Sequence, residues 1–260
     1  MSAKCLKLEN RSVIRLSGSE KITFLNGLVT NDIETVAEDK AVYAALLTPQ
    51  GKFMFDMLII ADGSSLLLDI EADRKPDLMR RLMMYKLRAD VDISDTDLSV
   101  WAIWDGKTET GVVFKDPRHE NLGFRVLSAT APTDTGLDFI AYEESRIKAG
   151  VPDGNRDILT EKYFWLETNA EALNGVSFSK GCYVGQELTA RMKHRTTLKK
   201  MIVPVKLTDG SFKTGAAITT TDGSKAGEIR TTAGDYALAY LKLAYKDDDL
   251  KTETASFRTL

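Results

Sequence analysis

The chain has 260 residues, of which 43% are hydrophobic and 28% charged, with a net charge of −3. These values are typical of a folded protein and exclude a disordered chain or a uniformly basic nucleic-acid-binding protein. No apolar run reaches about eighteen residues, so the sequence predicts no membrane span and no membrane partner. The two cysteines, Cys5 and Cys182, lie far apart, with no CxxC motif. The sequence therefore predicts a cytoplasmic protein without disulfide framework or zinc site.

The first half of the chain alternates predicted strands with two predicted helices. Ser17 and Glu20 have the spacing of a capping box, which predicts a helix that runs through Leu28. Pro76 fits the first turn of a second helix at 73–88. The predicted strands cover residues 11–16, 41–47, 53–60, 66–70, 91–93 and 98–104. This order predicts an α+β fold with helices on one face of a sheet.

The second half of the chain changes character along its length. A helix is predicted over 139–148 and is closed by Gly150. A polar, turn-rich stretch covers 153–178, and a short basic helix follows from Leu188. Short β-like runs, separated by Asp-Gly and Gly turns, begin after Met201. They cover 202–207, 216–220, 227–230 and 236–243. This pattern predicts a small all-β module at the C-terminus.

The most informative segment is Lys-Gly-Cys-Tyr-Val-Gly-Gln-Glu at 180–187. Gly181 and Gly185 permit positive φ and close approach of the backbone to a ligand. A helix that opens after Gly185 places Cys182 near the positive end of its dipole, and nearby cations also favour a thiolate. The alternative is a small buried apolar side chain, which describes most free cysteines. The segment predicts an exposed or half-exposed, reactive thiol.

Three further features have two interpretations each. The basic stretch 191–200 is either a solvated face or a local anion site. Asp56 interrupts an apolar strand. Either it lies on a polar face of that strand, or it binds amine groups of a ligand. Tyr142 and Arg146 are one helical turn apart. They lie either on a partly exposed helix surface or next to a ligand.

The cysteine segment and four other motifs, in their order along the chain, resemble the YgfZ-type folate-binding proteins. These are relatives of the aminomethyltransferase (T protein) of the glycine cleavage system. The motifs are Phe-Leu-Asn-Gly-Leu-Val-Thr-Asn-Asp at 24–32, Leu-Thr-Pro-Gln-Gly-Lys at 47–52, Asp-Pro-Arg at 116–118 with Leu-Gly-Phe-Arg at 122–125, and Arg-Ile-Lys-Ala-Gly-Val-Pro at 146–152. The cysteine motif is highly specific, whereas the others gain weight from their order.

The resemblance implies a fold and a function. The implied fold is α+β and GcvT-like, with several modules around a central folate-sized cavity. Residues 1–199 would form the folate-binding region, with an inner module at about 49–128, and residues 200–260 a small β-barrel. The implied cofactor is tetrahydrofolate, and the implied role is assembly or repair of [4Fe–4S] enzymes, including tRNA-methylthiolating enzymes. The implied partners are folate and iron–sulfur carrier or target proteins, without direct nucleic-acid binding.

The resemblance also implies which residues form the site. Carried over by position, it assigns the chemistry to Cys182, as a transient iron–sulfur ligand, and to Lys180. No resident metal is implied. The residues assigned to the cofactor are Arg11, Asp56, Tyr142, Arg146, Gln186 and Glu187.

Two departures from the transferases leave other functions open. Phe55 replaces one carboxylate of their catalytic pair, and Lys148 stands where relatives often have glutamate. Both changes weaken the case for aminomethyl transfer, and whether the chain is an enzyme stays open. The alternatives are a folate-dependent aminomethyltransferase that uses Asp56 as general acid or base, and a non-catalytic RNA- or protein-binding module that uses 191–200.

Overall fold

A computed structural model describes residues 4–104 and 108–260. Within these ranges the chain forms sixteen strands and five α-helices. The strands are β1 (Lys4–Lys7), β2 (Arg11–Ser17), β3 (Val42–Leu47), β4 (Phe53–Asp62), β5 (Ser65–Glu71), β6 (Asp92–Asp95), β7 (Ser99–Ile103), β8 (Val112–Lys115), β9 (Phe124–Ser128), β10 (Asp134–Thr135), β11 (Lys200–Gly210), β12 (Ala217–Thr220), β13 (Lys225–Ala233), β14 (Tyr236–Lys242), β15 (Leu250–Lys251) and β16 (Ala255–Thr259). The helices are α1 (Lys21–Asn26), α2 (Lys75–Lys86), α3 (Phe139–Lys148), α4 (Gly154–Asp157) and α5 (Gln186–Arg195).

The first sheet is antiparallel, with strands in the order β3, β4, β5, β2 and β6. One of its faces packs against α1 and α2 through Leu25, Leu78 and Leu82. On the opposite face, Leu67 of β5 joins a second apolar core. Because side chains alternate along a strand, Asp69 shares this second face with Leu67. The carboxylate of Asp69 therefore lies on the face of the first sheet that is turned away from α1 and α2.

The second sheet has the order β10, β1, β7, β9 and β8, and only the β1–β10 pair is parallel. Its inner face contributes Val100, Ala102 and Leu127 to the same core that contains Leu58 and Ile60 of the first sheet. The two sheets thus face each other across one apolar core.

The last six strands close into a barrel in the order β11, β14, β13, β12, β15 and β16. The barrel has its own core, but Ile202 and Leu238 belong to the core between the sheets. Helix α3 also packs against β13 and β14. The apolar core is continuous with the barrel. The predicted division at 199/200 and the predicted inner module at 49–128 stay predictions. Residues 1–3 and 105–107 of that first region lie outside the described residues.

Most predicted elements are present, including the α+β arrangement, the small C-terminal barrel and the helix at 139–148. The capping box is wrong. Ser17 is still part of β2, where it pairs with Asp92, and no side chain caps α1. The carboxylate of Glu20 instead accepts a hydrogen bond from the backbone N–H of Asp90 at 2.6 Å. Pairing in the sheet therefore competes successfully with the local capping pattern.

Candidate functional site

Cys182 lies on the loop that leads into α5, and its side chain is exposed, whereas Cys5 is buried. The loop enters the helix at Gly185, whose φ is 84°. A Cβ at this position would lie 2.6 Å from the backbone oxygen of Thr48, so glycine is required for the loop to pass so close. A Cβ at Gly181 would meet open space. The predicted close approach therefore occurs at Gly185 and not at Gly181.

Lys180 holds the cysteine loop against the end of α1. Its Nζ donates hydrogen bonds to the backbone oxygens of Asn26 at 2.6 Å, Val29 at 2.8 Å and Asn31 at 2.7 Å. An ammonium group has three donors, and these acceptors use all of them. Burial lowers the pKa of Lys180 to about 8. In this arrangement Lys180 positions the loop and has no donor left for the thiol.

A cavity of about 770 Å³ lies beside the cysteine loop. Residues 176–179 form one wall, and Asn31, Tyr43 and Arg118 lie on other walls. The charged residues that line it are Asp39, Lys40, Lys115, Asp116, Arg118, Glu120 and Glu171. Cys182 follows the wall by three positions and is not among the lining residues. The structure thus places the thiol near the cavity in sequence but not on its surface.

A chain of buried ion pairs crosses the space between the two sheets. Arg11 Nε donates to Asp69 Oδ1 at 2.7 Å, and Arg125 donates to the other oxygen of Asp69 at 3.1 Å. Arg125 Nε also donates to Asp116 Oδ2 at 3.2 Å, and Arg118 binds Asp116 through two donors at 2.9 and 2.7 Å. All five side chains are buried. We call these five residues the ionic network.

The ionic network reaches the cavity through Asp116 and Arg118. Burial acts to raise the pKa of Asp116, but the guanidinium groups of Arg118 and Arg125 outweigh it and hold that pKa well below its usual range. The carboxylate therefore stays charged at any physiological pH. The network presents a fixed guanidinium and a fixed carboxylate on the cavity wall.

Three residues assigned to the cofactor meet in or beside the ionic network. Arg11 is a member, and Tyr142 accepts a hydrogen bond from Arg125 at 3.0 Å through its hydroxyl oxygen. Asp56 is 2% exposed and accepts a hydrogen bond from the hydroxyl of Tyr43 at 3.1 Å. Burial raises the pKa of Asp56, although the charge of Arg11 opposes this shift. None of the three assigned residues lines the large cavity.

Arg146 belongs to a second buried cluster, which Asp153 connects to Arg11 of the ionic network at 3.7 Å. Its guanidinium binds both carboxylate oxygens of Glu143 at 3.0 Å and Asp157 at 2.8 Å. It also donates to the backbone oxygen of Val151 at 2.7 Å. These contacts tie α3 to α4, so Arg146 has a structural environment and does not face the cavity.

The remaining assigned residues lie in the first turn of α5. Glu187 is exposed and pairs with Arg191 at 3.3 Å, and Lys193 pairs with Glu171. Gln186 is half-buried. These pairs match the interpretation of 191–200 as a solvated face. The structure therefore divides the predicted site among the cysteine loop, the ionic network and the α3–α4 cluster.

The sequence interpretation missed most of the ionic network. Asp69 is a carboxylate inside the apolar run 66–70, which is a signal of a buried partner. Asp116, Arg118 and Arg125 stand out in the sequence only as parts of family markers. A buried charge needs a counter-charge, so Asp69 predicts a buried cation without indicating which residue supplies it.

Within residues 4–104 and 108–260, no group of three His, Cys, Asp or Glu side chains is arranged to hold a metal ion. In the same part of the chain, no helix is long and apolar enough to cross a membrane.

The architecture is that of the aminomethyltransferases of glycine cleavage. The chain superposes on the crystal structure of the glycine cleavage system aminomethyltransferase T from Bartonella henselae with a TM-score of 0.76. The match covers 99% of this chain and 85% of that chain at 12% sequence identity, so it shows the fold alone. The predicted GcvT-like fold class is confirmed.

Sequence relatives identify the family. Residues 199–259 match the family described as CAF17, C-terminal beta-barrel domain. The human mitochondrial iron-sulfur cluster assembly factor IBA57 is 30% identical, and the match covers 91% of this chain and 77% of the human protein. The IBA57 homologue of Mycosarcoma maydis is 36% identical, and the match covers 78% of this chain and 57% of that protein. The chain belongs to the IBA57 family of iron–sulfur cluster assembly factors.

This membership confirms the resemblance at the level of an iron–sulfur assembly family with the aminomethyltransferase fold. The predicted cytoplasmic location is wrong, because the names of the human, mouse and fungal relatives describe mitochondrial proteins. The prediction rested on the low cysteine count. That count indicates a reducing compartment, but it does not distinguish one reducing compartment from another.

Proposed function

We propose that this protein assists the assembly or repair of [4Fe–4S] enzymes, with Cys182 as a transient ligand of the cluster. The observation that carries the proposal is the exposed thiol on a loop that Lys180 and Gly185 fix to neighbouring backbone. The relatives are named as iron–sulfur cluster assembly factors. From the YgfZ-type resemblance, we include tRNA-methylthiolating enzymes among the targets.

One cysteine is not enough to hold the cluster. Stable [4Fe–4S] sites normally use four thiolates. Cys182 therefore supplies one ligand, and an iron–sulfur carrier or target protein supplies the others. When the sulfur binds iron, its proton is released, and the exposed position of Cys182 lets solvent accept that proton. Cys5, which is 1% exposed, is not accessible to such a partner.

The test replaces each cysteine in turn. In cells that lack the endogenous protein, we expect Cys182→Ser to lower the activity of [4Fe–4S] enzymes severalfold without lowering protein abundance. The matched control is Cys5→Ala, which removes the buried thiol and retains the exposed one. Full enzyme activity in the Cys182→Ser cells would contradict the role of the thiol.

We further propose the cavity of about 770 Å³ as the tetrahydrofolate site. Its volume is within the range of ligand pockets, roughly 300–1,000 Å³. Lys40 and Lys115 are exposed on its walls and, with Arg118, offer cations for carboxylates, whereas the lining residue Tyr43 is buried. None of the six residues that the resemblance assigned to the cofactor lines this cavity. The six residues that the resemblance assigned therefore do not form a folate pocket at this cavity. We derive no chemical step through folate.

Calorimetric titration with tetrahydrofolate tests the cavity. We expect Lys115→Glu to weaken binding about fivefold, the equivalent of about 1 kcal/mol for an exposed charge pair. Glu187→Gln, at an assigned position away from the cavity, is the control and should leave affinity unchanged. If Glu187→Gln weakens binding and Lys115→Glu does not, the cavity is not the site.

Neither alternative function gains a supporting observation. Aminomethyl transfer depended on Asp56, which is buried, accepts a hydrogen bond from Tyr43 and borders a crevice of negligible volume. Nucleic-acid binding depended on 191–200, where Arg191 and Lys193 are paired with carboxylates.

A further inference from the structure

The outer side of α2 carries exposed apolar side chains. Met83, Met84 and Leu87 are 52%, 69% and 86% exposed. The helix already buries Leu78 and Leu82 against the first sheet, so the three residues form a second apolar surface that faces solvent. Leu87 follows the helix with a φ of 47°, a value uncommon for a residue with a Cβ. The backbone thus turns unfavourably at the residue that is most exposed.

Arginines lie beside this apolar surface, next to Met84. A shallow pocket of about 200 Å³ is lined by Arg74, Arg80 and Arg81, and Met84 forms part of its wall. Arg74 is held in place because it donates to the hydroxyl of Thr160 at 2.8 Å and to the backbone oxygen of Met54 at 3.3 Å.

The pocket also contains two carboxylates, Asp77 and Glu161. Asp77 pairs with Arg80, and its distance to Arg74 is 3.9 Å. Lys86 and Arg88 add positive charge at the end of the helix. The exposed carboxylate of Asp90 interacts with Lys86. The three pocket arginines, Lys86 and Arg88 thus carry five positive charges against three negative ones, so the surface has a positive excess.

We propose that this face of α2 binds an anionic membrane surface. The arginines take a lipid phosphate, for which the planar guanidinium is well suited. Met83, Met84 and Leu87 enter the boundary between headgroups and acyl chains, as the apolar residues of interfacial helices do. The expectation of no membrane partner rested on spanning segments alone, and a surface contact requires none.

The combination of apolar and cationic side chains favours a membrane. Met83, Met84 and Leu87 are exposed at the end of α2, close in sequence to Arg80, Arg81, Lys86 and Arg88. A free phosphate would use the arginines and leave the three apolar residues in water. A membrane engages both features together, and apolar insertion and charge reinforce each other. This inference is independent of the role of Cys182.

Sedimentation with vesicles tests the proposal. The 260-residue chain is mixed with vesicles of phosphatidylcholine alone or of phosphatidylcholine with phosphatidylglycerol. We expect binding to the anionic vesicles only. The variant Arg80→Gln/Arg81→Gln should reduce partitioning by about twenty-five-fold, because each cation near an anionic surface contributes about fivefold. The triple variant Met83→Ser/Met84→Ser/Leu87→Ser should reduce it at least as much.

The matched control is Lys213→Gln/Lys246→Gln, which makes the same change in net charge at exposed positions of the barrel region. It should bind like the wild type, and thermal unfolding should show that all three variants remain folded. Absence of binding to anionic vesicles overturns the proposal. Unchanged binding of the triple variant also overturns it, because the arginines would then bind the headgroups by charge alone, without insertion of the apolar residues. Equal losses in the control would show a nonspecific charge effect and would overturn it as well.

Discussion

The C-terminal barrel and the space between the two sheets are both buried, but their interiors are chemically different. The barrel encloses apolar side chains such as Ile229 and Phe257. Between the sheets, the apolar core is crossed by the ionic network, in which Asp69 joins Arg11 to Arg125. The stability of the barrel interior depends on how well its volume is filled. The stability of the interior between the sheets also depends on paired charges.

This difference predicts unequal sensitivity to substitution. An apolar core loses stability in proportion to the volume removed and the cavity left behind. Burying an ion pair contributes little net stability, but removing one partner leaves an uncompensated charge in a dry environment. A nearly isosteric change between the sheets should therefore cost more than a loss of volume in the barrel.

The largest effect is expected for Asp69→Asn. The side chain keeps its size but loses the charge that pairs with both Arg11 and Arg125. We expect the free energy of unfolding in urea to fall by about 3–5 kcal/mol. Asp95→Asn is the control, because Asp95 pairs with Lys75 at the surface and should cost less than about 1 kcal/mol. Similar losses in the two variants would show that the ionic network has no special weight.

Lys180→Met tests a third kind of interaction, between one cation and three backbone oxygens. The substitution keeps the aliphatic stem and removes the donors to Asn26, Val29 and Asn31. We expect a loss of about 1–3 kcal/mol in the free energy of unfolding, because buried carbonyl groups lose their partner.

The rate at which iodoacetamide alkylates Cys182 should also differ between the Lys180→Met variant and the wild type, because the substitution releases the cysteine loop from α1. Lys193→Met removes an exposed lysine paired with Glu171 and should alter neither quantity. An unchanged alkylation rate in Lys180→Met would mean that Lys180 does not position the loop.

In the barrel, Ile229→Val should have a smaller effect. It removes one buried methylene from an apolar core, so we expect a loss of about 1 kcal/mol in urea unfolding. Lys213→Ala, on the exposed surface, should stay within about 0.5 kcal/mol of the wild type. A loss in Ile229→Val as large as that in Asp69→Asn would remove the contrast between the two interiors.

The same contrast explains what the sequence could predict. The barrel strands and α3 were predictable because their periodicity and turn residues are local. The exposed Cys182 was predictable from Gly185, three residues further on, and from the helix that follows it. The ionic network was not, because Asp69 lies 58 residues from Arg11 and 56 from Arg125. Local patterns carry no information about which distant charges a fold brings together.

The smallest expected effect concerns pH and Asp56, beside the ionic network. Because burial raises its pKa in the folded state, Asp56 favours folding below its unfolded pKa of about 3.9, where it is protonated. That contribution is lost as pH rises through the folded pKa, since the native carboxylate must then carry a buried charge. Asp56→Asn removes this loss. The variant should therefore gain stability over the wild type as the pH rises from acidic to neutral, measured as the difference in urea unfolding.

Taking the difference between variant and wild type cancels the opposite contribution of Asp116, whose lowered pKa costs stability only as the pH falls. Ile229→Val is the matched control, because it removes no titrating group and its difference from the wild type should not vary with pH. If the difference for Asp56→Asn is equally flat, Asp56 titrates alike in the folded and unfolded chains. Its burial beneath Tyr43 would then impose no electrostatic cost, and the contrast between the two interiors would be confined to the five residues of the ionic network.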